Sequence, residues 1–439
     1  IQDYGGINLA PGPKNVGAFT CEVFLCNNDS NGKKTVIPEV SRFHQTLVIG
    51  PSGSGKTSLV FEPLIARDIE KKFFFSQVAK EMGYTALKTG IATLRSPYTN
   101  DYMNNHFSLD MLLPAPGKTK TYKSYMSKLI LSSSDDSCVY KDLGVTFMAP
   151  DYEAISHMTN VANNFGMSYN LIDPNNSESV GLNPFIYDDP VKIGLVVTAV
   201  LKSIYVPSKN DSTSAFRIKL AEQAVQNLCI LLKVMYPRLN NDDLPNLEDL
   251  LQYLLDFNLV EKMCKEMEEI PEYVKQYKMQ IAYFKKCFYS TGAWKSETEA
   301  SILPVTSAIE GLLRHSGVKD ILCNRENNLN YDDVLKNGDL VFVCTRRGDL
   351  GATMHKTFGL FFILLMQFSV LSRPGNENTR IPHFLYIDEF SDFICDSTEP
   401  IFTLYRKYRV GAIISAQNLA QLTGESKSNK HKQTILANC

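Results

Sequence analysis

Gly50, Pro51, Ser52, Gly53, Ser54, Gly55, Lys56 and Thr57 spell G-x-x-x-x-G-K-[ST], the spacing of a phosphate-binding loop. The glycines let the backbone turn tightly, so that successive N–H groups point inward at an anion where a helix begins. In such a loop Lys56 reaches the β and γ phosphates, the Thr57 hydroxyl ligates Mg²⁺, and Ser58 completes the binding segment. The flanks are of the required kind. His44-Gln-Thr-Leu-Val-Ile49 reads as a strand, and Ser58 to Arg67 has helical apolar spacing broken only by Pro63. The expected ligands are ATP and Mg²⁺.

A second set of chemical groups stands more than three hundred residues downstream, where His383-Phe-Leu-Tyr-Ile387 runs into Asp388 and Glu389. A buried strand capped by two solvated acids has this pattern, and so does a Walker B strand. Beside a phosphate loop the second reading assigns Asp388 to the Mg²⁺ water shell and Glu389 to polarising the attacking water as general base. Gln417, in Ser415-Ala-Gln-Asn-Leu-Ala-Gln-Leu422, is placed to touch a γ phosphate as a sensor or to belong to a polar helix cap. Arg406 and Arg409, in Leu404-Tyr-Arg-Lys-Tyr-Arg-Val410, are either surface charges or arginine fingers that reach a neighbouring subunit's γ phosphate, with Arg406 favoured.

These groups need a scaffold that brings two remote segments together. A chain of 439 residues with 44% hydrophobic and 21% charged residues is globular and of two to three domains. Residues 1–40 read as a strand-rich lead-in with several glycines. Residues 41–185 form the first part of a nucleotide-binding domain, carrying a turn-rich insertion over 76–142. Within it Gly144 to Ala149 is strand-like, Asp151 to Phe165 helical, and Ser168 to Asp173 a strand again, a parallel βαβ unit.

Residues 186–321 scan almost wholly as amphipathic helices: Val191–Tyr205, Ser214–Tyr236, Asn246–Asp256, Leu259–Met267, Pro271–Tyr289 and Glu297–His315, with Pro237, Pro245 and Pro271 at junctions. Residues 322–439 return to alternating strands and helices and complete a mainly parallel sheet. The fold class is therefore α/β: a P-loop NTPase sheet flanked by helices, with an inserted all-α domain.

Bulk properties mostly exclude. A net charge of −2 offers no global basic field for nucleic acid, so any such contact needs a local patch or an assembled ring. Ten cysteines, without C-x-x-C pairs or zinc spacing, read as reduced thiols, and Cys21 and Cys26 fit strand packing. The most apolar stretch, Phe358 to Leu371, is too short for a bilayer span and reads as a core helix. No signal peptide is visible.

Gly50 to Thr57, Leu171-Ile-Asp-Pro-Asn-Asn176, Gly181-Leu-Asn-Pro-Phe185, Ile387-Asp-Glu-Phe390 and Gly411 to Leu422 together resemble the TraG-type coupling proteins of type IV secretion and conjugation, in the versions found in Gram-positive integrative elements. The resemblance covers the chain from about residue 40 onward. It implies a RecA-like motor domain, an all-α domain inserted after the Asn-Pro-Phe segment, and a homo-hexameric ring in the intact protein. ATP would lie between subunits, with Lys56, Thr57, Asp388, Glu389 and Gln417 in cis and Arg406 or Arg409 in trans.

The implied partners are relaxase and relaxosome proteins, single-stranded DNA and type IV secretion channel components. The implied location is the cytoplasmic face of the bacterial cell membrane, through an anchor outside this chain, which opens at Ile1 rather than Met. Where the family often has Asp-Pro-Lys-Gly-Glu, this chain has Ala149-Pro-Asp-Tyr-Glu153, and no role for a lysine there carries over. Two further readings of the same residues stay open: a channel-assembly or energising ATPase of the same systems, and a nucleotide-gated adaptor that does not pump. A metabolic kinase is the outsider.

Overall fold

In a computed structural model the described residues are 2–4, 7–9, 21, 23–27, 34–82, 142–204, 212–290, 293–294, 296–376, 380–423 and 429–439. Most of the insertion read over 76–142 lies outside them; residues 76–82 end a helix. In the lead-in, strands Gln2–Tyr4 and Ile7–Leu9 pair antiparallel, as do Val23–Asn27 and Lys34–Ile37. The chain divides into two compact units. One is formed by residues 1–171, 331–344 and 369–439, the other by residues 172–330 and 345–368.

The first unit is built on a six-stranded sheet of β1 (Thr46–Ile49), β2 (Gly144–Ala149), β3 (Tyr169–Ile172), β4 (Leu340–Cys344), β5 (His383–Ile387) and β6 (Val410–Ala416). The spatial order is β1-β6-β5-β2-β4-β3, and the pairings from β1 to β4 are parallel. Strands β2, β4, β5 and β6 are buried along their whole length, as their near-continuous apolar sequences require of parallel strands covered on both faces. Helices α1 (Glu62–Met82) and α2 (Tyr152–Asn164) contribute to the core over one face. There Phe61, Ile65 and Ile69 join Ile155, Met158 and Val161 with the same-face strand residues Val145, Phe147, Leu340, Phe342, Phe384 and Tyr386.

A buried polar group crosses this core. Arg42 donates through Nη1 and Nη2 to the two carboxylate oxygens of Asp68, both at 2.7 Å, and through Nη2 to the Tyr386 hydroxyl at 2.9 Å. Tyr386 in turn donates to Asp68 Oδ2 at 2.6 Å. The guanidinium lies 3.5 Å from the centroid of the Phe384 ring. At the N-terminal end of β5, His383 Nε2 is 2.8 Å from Thr146 Oγ1. Burial, together with the charges of Arg373 and Lys72, lowers the His383 pKa from 6.5 to about 3, so the ring is neutral.

The second unit is helical and includes α3 (Pro190–Ile204), α4 (Ser212–Leu239), α5 (Leu247–Leu255), α6 (Phe257–Glu268) and α7 (Ser296–Leu313). One proline and one helix differ from the sequence reading. Pro237 lies inside the last turn of α4 instead of after it, and the helix read over Pro271–Tyr289 splits into Pro271–Gln276 and Lys278–Cys287 at Tyr277. The capping box at Asn246 and Asp249 starts α5.

The segment Gly181 to Phe185 belongs here. Asn183 is fully buried, accepts from Phe185 N at 3.0 Å and donates to the carbonyls of Pro245 and Asn324, both at 2.9 Å. Asp173, also fully buried, is held by Arg346 through Nε at 2.8 Å and Nη2 at 2.7 Å. These motif residues are joints of the backbone.

Helix α8 (Arg347–Leu371) has 25 residues and is the one helix among those described that is long and apolar enough to cross a membrane; 78% of its most apolar window is buried. It extends the shorter stretch read from the sequence, and its burial is that of a core helix.

Candidate functional site

β1 delivers the chain to the phosphate loop, and Gly50 N donates to Ala416 O of β6 at 3.2 Å, fixing the loop's start against a neighbouring strand tip. Gly53 and Gly55 have φ of 75° and 83°, a region that side chains disfavour. At Gly55 a Cβ would also fall 2.6 Å from the Leu59 side chain. Within the loop Ser54 N donates to Pro51 O at 3.2 Å. Lys56 Nζ donates to Gly50 O at 2.8 Å and Pro51 O at 3.0 Å, so the ammonium is folded over the same loop whose N–H groups would face a phosphate.

The helix after the loop opens as a π turn, Lys56–Phe61, and becomes α-helical at Glu62. Pro63 accounts for this. It has no N–H to give to Leu59 O, and its ring would strike that carbonyl in a regular α turn, so the first turn widens and Glu62 N–H bonds back to Thr57 O.

β6 separates the phosphate-loop strand from β5, so Asp388 does not stand on the strand beside Gly50. It reaches the loop nonetheless: Thr57 Oγ1 donates to Asp388 Oδ2 at 2.5 Å. The carboxylate's other oxygen, Oδ1, accepts from the Ser415 hydroxyl and from Glu389 N, the latter at 3.0 Å. Glu389 N is also 2.9 Å from Ser415 Oγ. Glu389 has φ 51° and ψ 43°, a left-handed conformation costing a non-glycine residue about 1–2 kcal/mol, stabilised by these two bonds.

The cluster suits a small hard cation. One hydroxyl and one carboxylate side by side are the ligand types that Mg²⁺ takes from protein when water and phosphate oxygens fill its remaining positions. Among the described residues no group of three or more His, Cys, Asp or Glu side chains forms a metal cage. Thr57 and Asp388 would hold such an ion.

Gln417 lies just past the tip of β6 and is half-buried. Capping in its segment falls to others: Asn418 Oδ1 accepts from Ala420 N and Gln421 N, and Gln421 Oε1 accepts from Gln417 N at 3.0 Å. Arg406 and Arg409 sit before Val410, at the opposite end of β6 from Ser415 and Gln417. Arg406 is exposed. Arg409 is half-buried, ion-paired to Glu39 and 4.4 Å from the centroid of the Phe43 ring. The structure thus gathers the phosphate loop, Asp388, Glu389 and Gln417 at one set of strand tips and leaves both arginines away from it.

Sequence patterns alone do not mark Ser415 as a site residue. The one hint is a lone hydroxyl in the apolar run Gly411-Ala-Ile-Ile-Ser415, one strand from the acidic pair.

A parallel sheet with a phosphate loop on one strand, an acidic pair two strands away and a polar strand tip between them defines a RecA-like P-loop fold. No family model matches the chain, and no curated protein matches it in sequence. Solved structures do. The unbound monoclinic form of the bacterial conjugative coupling protein TrwBdeltaN70 aligns with TM-score 0.52 and 12% identity over 92% of this chain and 68% of that one. The plasmid coupling protein TrwB in complex with the non-hydrolysable GTP analogue GDPNP aligns with TM-score 0.51 and 14% identity over 92% and 70%. TrwB in complex with ADP and Mg²⁺ gives TM-score 0.50 and 14% identity over 91% and 70%. At these identities the likeness is one of fold.

Proposed function

We propose that the chain is the nucleotide-hydrolysing portion of a TraG-type coupling protein, a motor that binds Mg²⁺ and ATP and drives substrate transfer through a type IV secretion channel. The observation that carries this reading is the 2.5 Å bond between Thr57 and Asp388, which unites two motifs remote in sequence at one candidate metal site. Lys56 and the loop N–H groups would take the phosphates, Asp388 and Thr57 the metal, Glu389 the proton of the attacking water, and Gln417 the γ phosphate. Support for the coupling role comes from the fold, shared with a protein described as a conjugative coupling protein and solved with GDPNP and with ADP and Mg²⁺.

In this reading the intact protein is a membrane-anchored hexamer at the cytoplasmic face, Arg406 completes the neighbour's site, and the helical unit selects relaxase-bound single-stranded DNA for the secretion channel. The test replaces the chromosomal or plasmid copy with Glu389→Gln in the anchored protein and counts transconjugants. Transfer should fall by at least a hundredfold while ATP binding persists, in line with the usual contribution of a general base. Transfer at the normal rate would refute the motor role.

A further inference from the structure

Ser415 is the only hydroxyl residue in β6, whose other members are Val410, Gly411, Ala412, Ile413, Ile414 and Ala416, and it is fully buried. A hydroxyl in such a place is unfavourable unless both its donor and acceptor capacities are used. Both are. It donates to Asp388 Oδ1 and accepts from Glu389 N at 2.9 Å. The consequence lies on the far oxygen of the same carboxylate. With Oδ1 pinned by Ser415 and Glu389 N, the carboxylate plane is fixed and Oδ2 is the oxygen turned to the Thr57 hydroxyl. The bond to Glu389 N also holds the left-handed backbone at φ 51° from which the Glu389 side chain departs.

We propose that Ser415 is a positioning residue of the metal–nucleotide site: it sets which Asp388 oxygen faces the cation and fixes the backbone that carries the general base. This rests on the reading of the Thr57–Asp388 cluster as the cation site.

The experiment measures metal binding and not turnover. Purified wild type, Ser415→Ala, Ser415→Cys and Ser415→Thr are titrated with Mn²⁺ in the presence of ADP, free Mn²⁺ being read by electron paramagnetic resonance. ADP affinity without metal and the melting temperature are measured in parallel. Loss of an outer-shell partner of a ligating carboxylate costs roughly ten- to a hundredfold in metal affinity. Ser415→Ala and Ser415→Cys should therefore bind Mn²⁺ at least tenfold more weakly, with metal-free ADP affinity within twofold of wild type. Ser415→Thr, which keeps the hydroxyl, should remain near wild type.

Mn²⁺ affinities of the alanine and cysteine variants within twofold of wild type would overturn the proposal. So would a parallel loss of metal-free ADP binding and melting temperature in both, which marks a packing role. If the alanine variant does not fold, the cysteine variant, similar in volume, decides. Failure of the wild type itself to bind Mn²⁺ with ADP would instead sink the nucleotide reading on which this role depends.

Discussion

Replacing Asp68 by Asn tests whether the phosphate-loop helix and the Asp388 strand are held together by a buried charge. Asp68 on α1 is 1% exposed and Arg42 is 4% exposed, and the carboxylate accepts three bonds of 2.6 to 2.7 Å from Arg42 and Tyr386. Arg42 additionally donates to Cys21 O at 2.9 Å, which an Asp68 variant leaves intact. Asparagine keeps the shape but leaves a guanidinium inside the core with no opposing charge, a change that costs about 3–5 kcal/mol.

Hydrogen exchange followed by mass spectrometry reads this locally, without assuming that the two units unfold together. Peptides covering α1 and β5 should exchange faster by roughly a hundredfold or more, at about tenfold per 1.4 kcal/mol. The double variant Arg42→Met, Asp68→Leu removes both charges at similar volume and should recover most of the protection, because no uncompensated charge remains. Exchange in Asp68→Asn within threefold of wild type, or a double variant as unprotected as the single one, would show that the buried charge does not hold these elements together.

Lys56→Ala should weaken ATP binding by roughly ten- to a hundredfold, the worth of a charge-assisted bond to phosphate, as read by fluorescent nucleotide titration. In the assembled protein Arg406→Ala should lower phosphate release by about a thousandfold and leave ATP affinity near wild type. Arg409→Ala should chiefly lower the melting temperature by a few degrees, since it loses the Glu39 pair and the Phe43 ring contact.

His383 gives a pH dependence. Its pKa in the folded state is about 3 against 6.5 for a free histidine, so between these values the unfolded chain binds the extra proton and stability rises with pH. Acidification below about pH 6.5 should therefore remove ~1.4 kcal/mol per unit from this group, and His383→Gln should remove that slope in denaturation measured from pH 7 to pH 5.

The phosphate loop and the Asp388–Glu389 pair were legible because each is a local pattern whose chemistry demands particular residues at fixed spacing. Strand order was not. Continuous apolar strands such as Phe384 to Ile387 and Ala412 to Ile414 carry no signal for which neighbour they pair with, so the placement of β6 between β1 and β5 came only from the fold. Pro63 announced an irregular helix, but whether it would end the helix or widen its first turn depended on Thr57 O being free to accept from Glu62.

Buried polar residues were hidden for a related reason. Asp68 and Arg42 are charged, and only pairing them with each other and with Tyr386 makes their burial tolerable, so single-residue exposure rules place both outside. Along the chain, the helical unit comprises residues 172–330 and 345–368. Its first residues read as the end of a strand and a motif loop, and helical periodicity cannot show that Asp173 and Asn183 pack with the helices.

The central claim is that Lys56, Thr57, Asp388 and Glu389 form one ATP-hydrolysing site. It is tested by phosphate release from ATP with Mg²⁺ and single-stranded DNA, wild type against Glu389→Gln, with ATP binding measured on both. The wild type should release phosphate, and the variant should do so at least a hundredfold more slowly with binding preserved. Equal rates in the two proteins, or no release by a wild type that binds ATP, would contradict it.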